Sequence, residues 1–293
     1  PFVRCISGMP FLAAWLLLAV GVRSIAADDA PWRVGLARTQ ITPHEPMPMC
    51  GYGPRISDGV LDDLHAKALA IESPDRSRAV LVTADLLFFR RDVADAVARR
   101  IMKKTGLERH QILLNASHTH SGPVVGMNGD LDAFGVPPDV RPRVAKYTAR
   151  LETQLADLVA AALADMKPAR LRFGTGQADF VMNRRLPTPN GIVMAPNPQG
   201  PVDRSVPVLR VEGPEGKIRA LVFGCACHPV TLDGNNTKIS GDYASFAQAA
   251  IEKRFPGSQA MFVIGCGADA NSHPRGTADL ARQQGGIAVV PHP

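Results

Sequence analysis

The sequence predicts an α/β (α+β) fold in which mixed β-sheets are covered by helices, with a metal site in the loops at strand ends. Through the first half of the chain, apolar residues at helical spacing alternate with short apolar runs. The second half contains a hairpin pattern around residues 213–216. Three apolar runs end in polar loops that hold histidine, aspartate or asparagine. This mixture of strands and helices favours sheets packed beneath helices.

The elements of the first half follow from hydrophobic spacing and from turn residues. Val93, Ala96, Val97 and Ile101 recur at helical spacing, and Gly106 is a plausible helix stop. The predicted elements are a strand at 32–43, a Gly/Pro-rich loop at 47–59, strands at 64–75 and 77–89 joined by a Pro-Asp turn, a helix at 91–107, a strand that runs into a loop at 111–123, and a long helix at 141–168 that Pro168 ends.

The second half predicts more strands than helices. Its expected elements are a strand followed by a polar loop at 169–191, a hairpin at 206–229, a short amphipathic helix at 241–255, and a final apolar strand that runs into a loop at 258–274. No internal repeat is visible, so a repeat architecture is not indicated.

The charge of the chain argues against a nucleic-acid partner. The formal net charge is +6 and the pI about 9.3, but lysine and arginine are dispersed. No run of five basic residues occurs, and no basic helix is interleaved with aromatic residues. A solvated basic face is the simplest interpretation, and weak attraction to anionic membrane surfaces is the alternative.

Residues 9–26 predict a secretory signal peptide. An apolar core from Phe11 to Val22 precedes Ser24-Ile25-Ala26, a small-x-small cleavage pattern. The core is short for a transmembrane helix, although an uncleaved anchor is the alternative. Residues 1–8 are interpreted as upstream translation, and residues 30–293 as the catalytic domain, possibly cut short at its C-terminus. The mature protein is expected to be secreted or periplasmic.

Cysteine usage leaves the redox state open. Four of the five cysteines lie in the expected mature chain, an even number that allows one disulfide in an exported protein. Cys225 and Cys227 lie two residues apart in an apolar strand pattern, so they would point to one face of the strand. Buried free thiols are the alternative interpretation.

The candidate metal-binding and catalytic residues lie where three apolar runs end, at residues 117–120, 227–229 and 267–271. His118 and His120 would face one side if strand geometry persists to that point. Imidazole is the commonest ligand for transition metals, and zinc takes three or four donors. The pair alone also fits two ordinary loop histidines. With His228 at a second strand end and Asp269 at a third, the pattern indicates a metal-dependent hydrolase. A metallophosphoesterase, which would need a second metal site from Asp85 and Asp269, is a weaker alternative.

Four motifs together resemble the N-terminal catalytic domain of the neutral/alkaline non-lysosomal ceramidase family. They are SHTHSGP at 117–123, CHPVTLDGNNTKISGDYASF at 227–246, MCGYG at 49–53 and MNRR at 182–185, and the resemblance covers about residues 32–276. The first two motifs are specific and the other two are weak alone. The resemblance implies a mixed α/β fold with a single zinc ion, and hydrolysis of the ceramide amide bond to sphingosine and a fatty acid.

The resemblance also implies roles for individual residues. His118 and His228 are the expected zinc ligands. His120 is expected beside the metal, in contact with water or substrate and as the general acid for the leaving amine. Arg184 matches the family's substrate-side arginine, with an ordinary surface arginine as the alternative, and either His120 or Arg184 would stabilise a developing oxyanion.

One departure from the family affects the mechanism. The family carries a serine in a Gly-Asp-x-Ser-Pro loop, and Asn271 stands at that position here, with Ser272 one residue later. Either the loop is shifted by one residue or the serine is absent. We place Asn271 at the catalytic site and favour attack by metal-activated water, which needs no serine. The family's further zinc ligands, a Glu and a Tyr, come from a region beyond residue 293.

Two aspartates are predicted to support the metal ligands. Asp242 and Asp269 could each accept a hydrogen bond from a zinc-bound imidazole and so orient it. Each could equally be a helix cap or a turn residue, and Asp242 directly precedes a predicted helix.

The sequence thus predicts a zinc-dependent hydrolase of lipid amides such as ceramide, with a membrane surface as a further expected partner. The alternative is a catalytically silent, envelope-associated domain that binds lipid or carbohydrate on the same scaffold. Two features motivate that alternative: Asn271 stands where the family carries a serine, and the family's Glu and Tyr zinc ligands come from beyond residue 293.

Overall fold

The computed structural model describes residues 32–126 and 128–287, so the predicted signal peptide and the residues before it lie outside the described part. The helices are α1 (Arg91–Thr105), α2 (Arg141–Ala164), α3 (Asp242–Arg254) and α4 (Ala278–Ile287), with 3-10 turns at Arg109–Gln111, Asn128–Phe134 and Pro138–Val140. The strands are β1 (Trp32–Gln40), β2 (Pro48–Met49), β3 (Arg55–Ile56), β4 (Gly59–Val60), β5 (His65–Glu72), β6 (Arg78–Ala84), β7 (Ile112–Ala116), β8 (Lys167–Gln177), β9 (Val181–Thr188), β10 (Gly191–Asn197), β11 (Ser205–Glu212), β12 (Ile218–Cys225), β13 (Lys238–Ile239), β14 (Gln259–Ile264) and β15 (Ala270–Ser272).

Eight of these strands form one large mixed sheet in the order β14-β12-β11-β8-β1-β5-β6-β7. Strand β12 pairs with β14 in parallel, as β6 does with β7, and the other neighbours are antiparallel. A separate three-stranded sheet has the order β10-β9-β15, and two short ribbons pair β13 with β4 and β2 with β3. The predicted mixed α/β fold is confirmed.

The large sheet folds back on itself, so the described part of the chain has four layers. Helices α1 and α2 pack on one face of β5 and β6, whose opposite face carries Leu69. Helix α3 packs on one face of β12 and β14, whose opposite face carries Val222 and Met261. These inward-facing side chains belong to one cluster, which places the two halves of the sheet against each other. The order of the layers is therefore helices, half-sheet, half-sheet, helix.

The ends of the two long helices show how local chemistry sets boundaries. Gly106 follows α1 in the left-handed conformation, at φ 75°, and its N–H donates to the Met102 carbonyl, as the sequence predicts. Helix α2 ends at Ala164, four residues before the predicted stop at Pro168. A residue before proline is disfavoured in helical geometry, so Lys167 is extended and begins β8.

The predicted polar loop after residue 177 is wrong in part, because it contains strand β9. Strand β9 pairs with β10 around a turn in which Gly191 has a φ of 109°. Asn183 of β9 donates to the Pro201 carbonyl, in the loop after β10, at 2.8 Å, and Asn197 of β10 donates to the Arg185 carbonyl of β9 at 2.9 Å. A strand stabilised in this way lacks the apolar alternation by which strands are recognised.

The described residues contain neither a disulfide nor a membrane-spanning helix. Cys50, Cys225 and Cys227 are buried free thiols, and Cys266 is an exposed one. No helix in this part of the chain is both long enough and apolar enough to cross a bilayer.

Candidate metal centre

The site lies where the two edge strands of the large sheet, β7 and β14, meet. The Ile264 N–H at the end of β14 donates to the Asn115 side-chain oxygen of β7 at 3.2 Å. Beyond the strand ends, the His120 N–H donates to the Pro229 carbonyl at 3.4 Å. The His228 N–H donates to the Ala270 carbonyl at 3.0 Å. The three polar loops that the sequence places at strand ends are thereby held together.

The two specific sequence motifs contact each other directly. The Thr119 hydroxyl donates to the Ser240 carbonyl at 2.7 Å, and the Ser240 N–H donates to the Ser121 carbonyl at 3.0 Å. Both Thr119 and Ser240 are fully buried. The segment that carries His118 and His120 is therefore fixed to the segment that leads into α3.

Three imidazoles form one cluster. The ring centroids of His118 and His228 lie 4.7 Å apart, those of His118 and His120 5.1 Å, and those of His120 and His228 5.7 Å. One ring nitrogen of each histidine lies within 4.8 Å of one from each of the others. His118 adopts a left-handed backbone conformation, at φ 69°, which turns the chain as it leaves β7.

Backbone carbonyls orient two of the three rings. Nδ1 of His118 is 2.7 Å from the Leu87 carbonyl oxygen, and Nδ1 of His228 is 2.8 Å from that of Gly267. A carbonyl can only accept, so each Nδ1 carries the proton and each Nε2 keeps its lone pair. Burial lowers the pKa of both rings, that of His228 to about 4, so both are neutral near pH 7.

The ring of His120 differs from the other two in having no hydrogen-bond partner. Both of its nitrogens are buried and unpaired. Burial, together with the neighbouring His118 and His228 and the charge of Arg184, lowers its pKa to about 3, and a close contact with the Gly51 backbone opposes this shift without forming a well-aligned hydrogen bond. An unpaired buried polar group is rare in a folded protein and indicates a bound partner or a functional role.

The donor set fits a divalent transition metal such as zinc. His118 and His228 each offer an Nε2 lone pair on a ring held by its other nitrogen, the usual arrangement of a metal-binding histidine. The neutral state that burial imposes is the state that binds a metal. The unpaired nitrogens of His120 lie in the same cluster.

Arg184 and Asn271 lie beside the cluster. The Arg184 side chain donates to the Ala268 carbonyl at 2.9 Å and to the Asn271 side-chain oxygen at 3.0 Å. Its positive charge contributes to the lowered pKa of all three histidines. Asn271 forms a β-bridge with His228. Asn271 therefore fixes the guanidinium near the imidazoles.

The predicted orienting carboxylates do not contact the histidines. Asp242 is fully buried and accepts hydrogen bonds from the N–H groups of Thr231, Leu232 and Tyr243, while burial raises its pKa to about 6. The exposed carboxylate of Asp269 pairs with Arg185 at 2.9 Å. The orienting role that we predicted for both is filled by the carbonyls described above. Asp242 instead holds the backbone that follows His228-Pro229.

Residues of the MCGYG loop and its surroundings line the site, and sequence reasoning gave them no role. The ring of Tyr52 lies edge-on to that of His120, with centroids 4.9 Å apart. Arg55 donates to the His120 carbonyl at 2.7 Å, and Arg275 to the Tyr52 hydroxyl at 2.7 Å. The available signal was the glycine pair around Tyr52, which marks a loop of unusual backbone geometry.

A mixed α/β scaffold with three clustered histidines at converging strand ends defines a domain with a candidate metal site. The chain belongs to the neutral/alkaline non-lysosomal ceramidase family, whose N-terminal domain model matches residues 32–272. The family named from the sequence motifs is thereby confirmed.

Individual relatives are similar over most of this chain. Neutral ceramidase A of Dictyostelium discoideum is 25% identical over 250 residues, which cover 80% of this chain and 34% of that protein. The crystal structure of neutral ceramidase from Pseudomonas aeruginosa matches with a TM-score of 0.75 at 24% identity, over 88% of this chain and 43% of that one. A structure described as ceramidase complexed with C2 matches with a TM-score of 0.74 at 23% identity, over 87% and 42%. The chain thus spans less than half the length of these relatives, and the structural matches establish the fold.

Proposed function

We propose that this chain forms the zinc-binding part of a hydrolase that cleaves lipid amides such as ceramide. The observation that carries the proposal is the pairing of His118 with His228. Their rings lie 4.7 Å apart, and each holds its Nδ1 proton on a carbonyl. The kinship with neutral ceramidases supports ceramide as the substrate class.

The residues around the metal have separate roles in the proposed reaction. Zinc held by His118 and His228 would supply the Lewis acidity that makes water reactive toward an amide near neutral pH. Arg184 is held in place by Asn271 and presents a cation to the oxygen of the scissile carbonyl as it gains charge. His120 enters the reaction neutral, so it accepts a proton at an unpaired ring nitrogen before it protonates the leaving amine.

Elemental analysis tests the metal assignment. We expect about one zinc per wild-type chain and none in a His118→Ala/His228→Ala variant, because two imidazole ligands are removed. Circular dichroism and thermal unfolding would establish that both proteins are folded. A folded wild-type chain that takes up no zinc would overturn the zinc-binding assignment.

Hydrolysis of a fluorescent N-acylsphingosine by the zinc-loaded chain separates the two candidate functions. Asn271, at the position where the family carries a serine, favours a silent domain that binds lipid or carbohydrate. Release of the fatty acid, abolished by Arg184→Gln, would support the hydrolase. Binding of zinc and lipid without release would support the silent domain.

We also propose that the β9–β10 hairpin brings the site to a lipid surface. Ile192, Val193 and Met194 are exposed, at 70%, 43% and 65%. Met194 lines a cavity of about 150 Å³ together with Arg184 and Asn271. Apolar side chains beside basic ones are suited to the interface of an anionic bilayer.

A double change of Ile192→Ser and Met194→Ser is expected to reduce binding to vesicles of phosphatidylcholine and phosphatidylserine about tenfold, because two apolar side chains are lost from the contact. Co-sedimentation measures the bound fraction. Phe173→Ser, which removes an 82% exposed aromatic ring on β8, is the matched control. Equal losses in both proteins would contradict a role for this hairpin.

We also propose that the chain is exported, as the predicted signal peptide at residues 9–26 indicates. N-terminal sequencing of the native protein would test this.

A further inference from the structure

His120 is the one imidazole of the cluster that no well-aligned hydrogen bond orients, although the Gly51 backbone lies close enough to its ring to raise its pKa slightly. His118 and His228 are each fixed by a carbonyl at Nδ1, whereas both nitrogens of His120 are buried and unpaired. A ring with unpaired nitrogens can turn about its side-chain bonds unless packing prevents it. Whatever holds His120 must therefore act on the carbon face and edge of the ring or on its backbone.

Gly51 lies directly against the ring of His120. A Cβ atom at residue 51 would be 2.5 Å from Cγ of His120 and 2.6 Å from Nδ1, closer than real Cβ contacts. The backbone of Gly51 also has a φ of 102°, which side chains other than hydrogen rarely allow. Glycine is required at this position both by the backbone and by the ring.

Tyr52 and Arg55 close the other sides. The Tyr52 and His120 rings lie edge-on, with centroids 4.9 Å apart. The Tyr52 hydroxyl donates to the Leu232 carbonyl at 3.0 Å and accepts from Arg275 at 2.7 Å. The guanidinium of Arg55 lies 5.0 Å from the centroid of the Tyr52 ring and donates to the His120 carbonyl. One loop thus holds both the ring and the backbone of His120.

We infer that Gly51, Tyr52 and Arg55 are positioning residues that fix His120 by shape, so that both of its nitrogens remain free for the reacting groups. The value of a free imidazole rests on the proposed function, whereas the positioning itself is a property of the folded chain. A hydrogen bond to Nδ1, such as the other two histidines make, would occupy an atom that proton transfer needs. Packing holds the ring without that cost.

Chemical modification of His120 tests the inference without an activity assay. Diethylpyrocarbonate acylates accessible neutral imidazole nitrogens, and mass spectrometry gives the rate at each histidine. We expect Gly51→Ala to raise the rate at His120 about tenfold, which corresponds to a shift of ~1.4 kcal/mol toward an open ring. His110 is exposed and serves as the internal reference.

Gly53→Ala is the matched control for Gly51→Ala. It lies two residues along the same loop, where an added Cβ would meet nothing within 4 Å. Its His120 rate should stay within about twofold of wild type, since neither ring nor backbone is displaced. Equal rates in the two variants, both shown to be folded, would overturn the inference.

A second pair of variants keeps the test decisive if Gly51→Ala does not fold. Tyr52→Ala removes the ring that meets His120 and should raise the modification rate. Tyr52→Phe keeps the ring, loses only the hydroxyl contacts, and should restore a rate near that of wild type. Zinc content should remain near that of wild type in all four variants, because His118 and His228 are held by other carbonyls. A Tyr52→Phe rate as high as that of Tyr52→Ala would contradict positioning by the ring.

Discussion

Replacement of His228 by alanine is expected to weaken zinc binding by more than about 100-fold, because loss of merely an outer hydrogen-bond partner of a metal ligand costs about 10- to 100-fold. The change removes a metal ligand and not merely a group that orients one, because Nε2 of His228 is one of the two donor atoms whose rings are held by carbonyls. A chromophoric chelator in competition with the protein measures the affinity.

Two other histidine variants serve as comparisons for the zinc affinity of His228→Ala. His110→Ala removes an exposed imidazole in the 3-10 turn Arg109–Gln111, before β7, and should leave the affinity unchanged. His120→Ala should lower the affinity less than His228→Ala, because we assign His120 to substrate and water. If His120→Ala weakened zinc binding as strongly as His228→Ala, His120 would be a ligand and the assigned division of roles would be wrong. If His228→Ala bound zinc as wild type does, the metal would lie elsewhere.

The order of these effects follows from how each ring is held. Nδ1 of His228 is hydrogen-bonded to a loop that continues into β15, so its Nε2 is fixed before any metal arrives. A preorganised donor loses little freedom on binding and contributes correspondingly more to affinity. His120 is held by packing against Gly51 and Tyr52, with both nitrogens unpaired. The same difference explains why one ring suits a ligand and the other a proton carrier.

The sequence predicts the fold best where apolar periodicity decides the structure. Helix α1 has buried Val93, Val97 and Ile101 on one face, and its glycine stop lies where expected. The same reasoning misses strand β9 because its polar residues bond to groups outside the strand: Asn183 to a loop carbonyl, Arg184 to Asn271 and Arg185 to Asp269. Polar strands of this kind are specified by partners that are distant in sequence, which no local pattern records.

The candidate site is predictable as far as its three histidines and no further. Histidines at strand ends and the resemblance to a family indicate His118, His120 and His228, and the structure brings them together. The orienting groups could not be predicted, because every residue has a backbone carbonyl and only the fold selects those of Leu87 and Gly267. A carboxylate can be identified from the residue type, whereas the role of a backbone carbonyl cannot.

A buried ion pair joins the layers of the fold and carries the largest expected effect on stability. Nζ of Lys67, on β5, is 2.7 Å from Glu252 on α3 and 2.8 Å from the Ala260 carbonyl on β14. The Lys67 side chain is 5% exposed. It lies on the face of β5 that turns toward the other half of the sheet, and Glu252 also accepts from the Ala260 N–H at 3.0 Å. One carboxylate therefore links both half-sheets and the covering helix.

Glu252→Ala is expected to lower the free energy of unfolding by about 3 kcal/mol, because it leaves the Lys67 ammonium buried with a single carbonyl acceptor. Urea denaturation measures the change. Arg38→Ala removes the other partner of the same carboxylate, a 62% exposed guanidinium at 3.5 Å, and should cost less than about 1 kcal/mol. A Lys67→Met/Glu252→Ala double variant should recover part of the loss, since the uncompensated charge is then gone. If Glu252→Ala lowered the free energy of unfolding as little as Arg38→Ala does, Lys67 would have access to water. The two half-sheets could then not be closed against each other at that point.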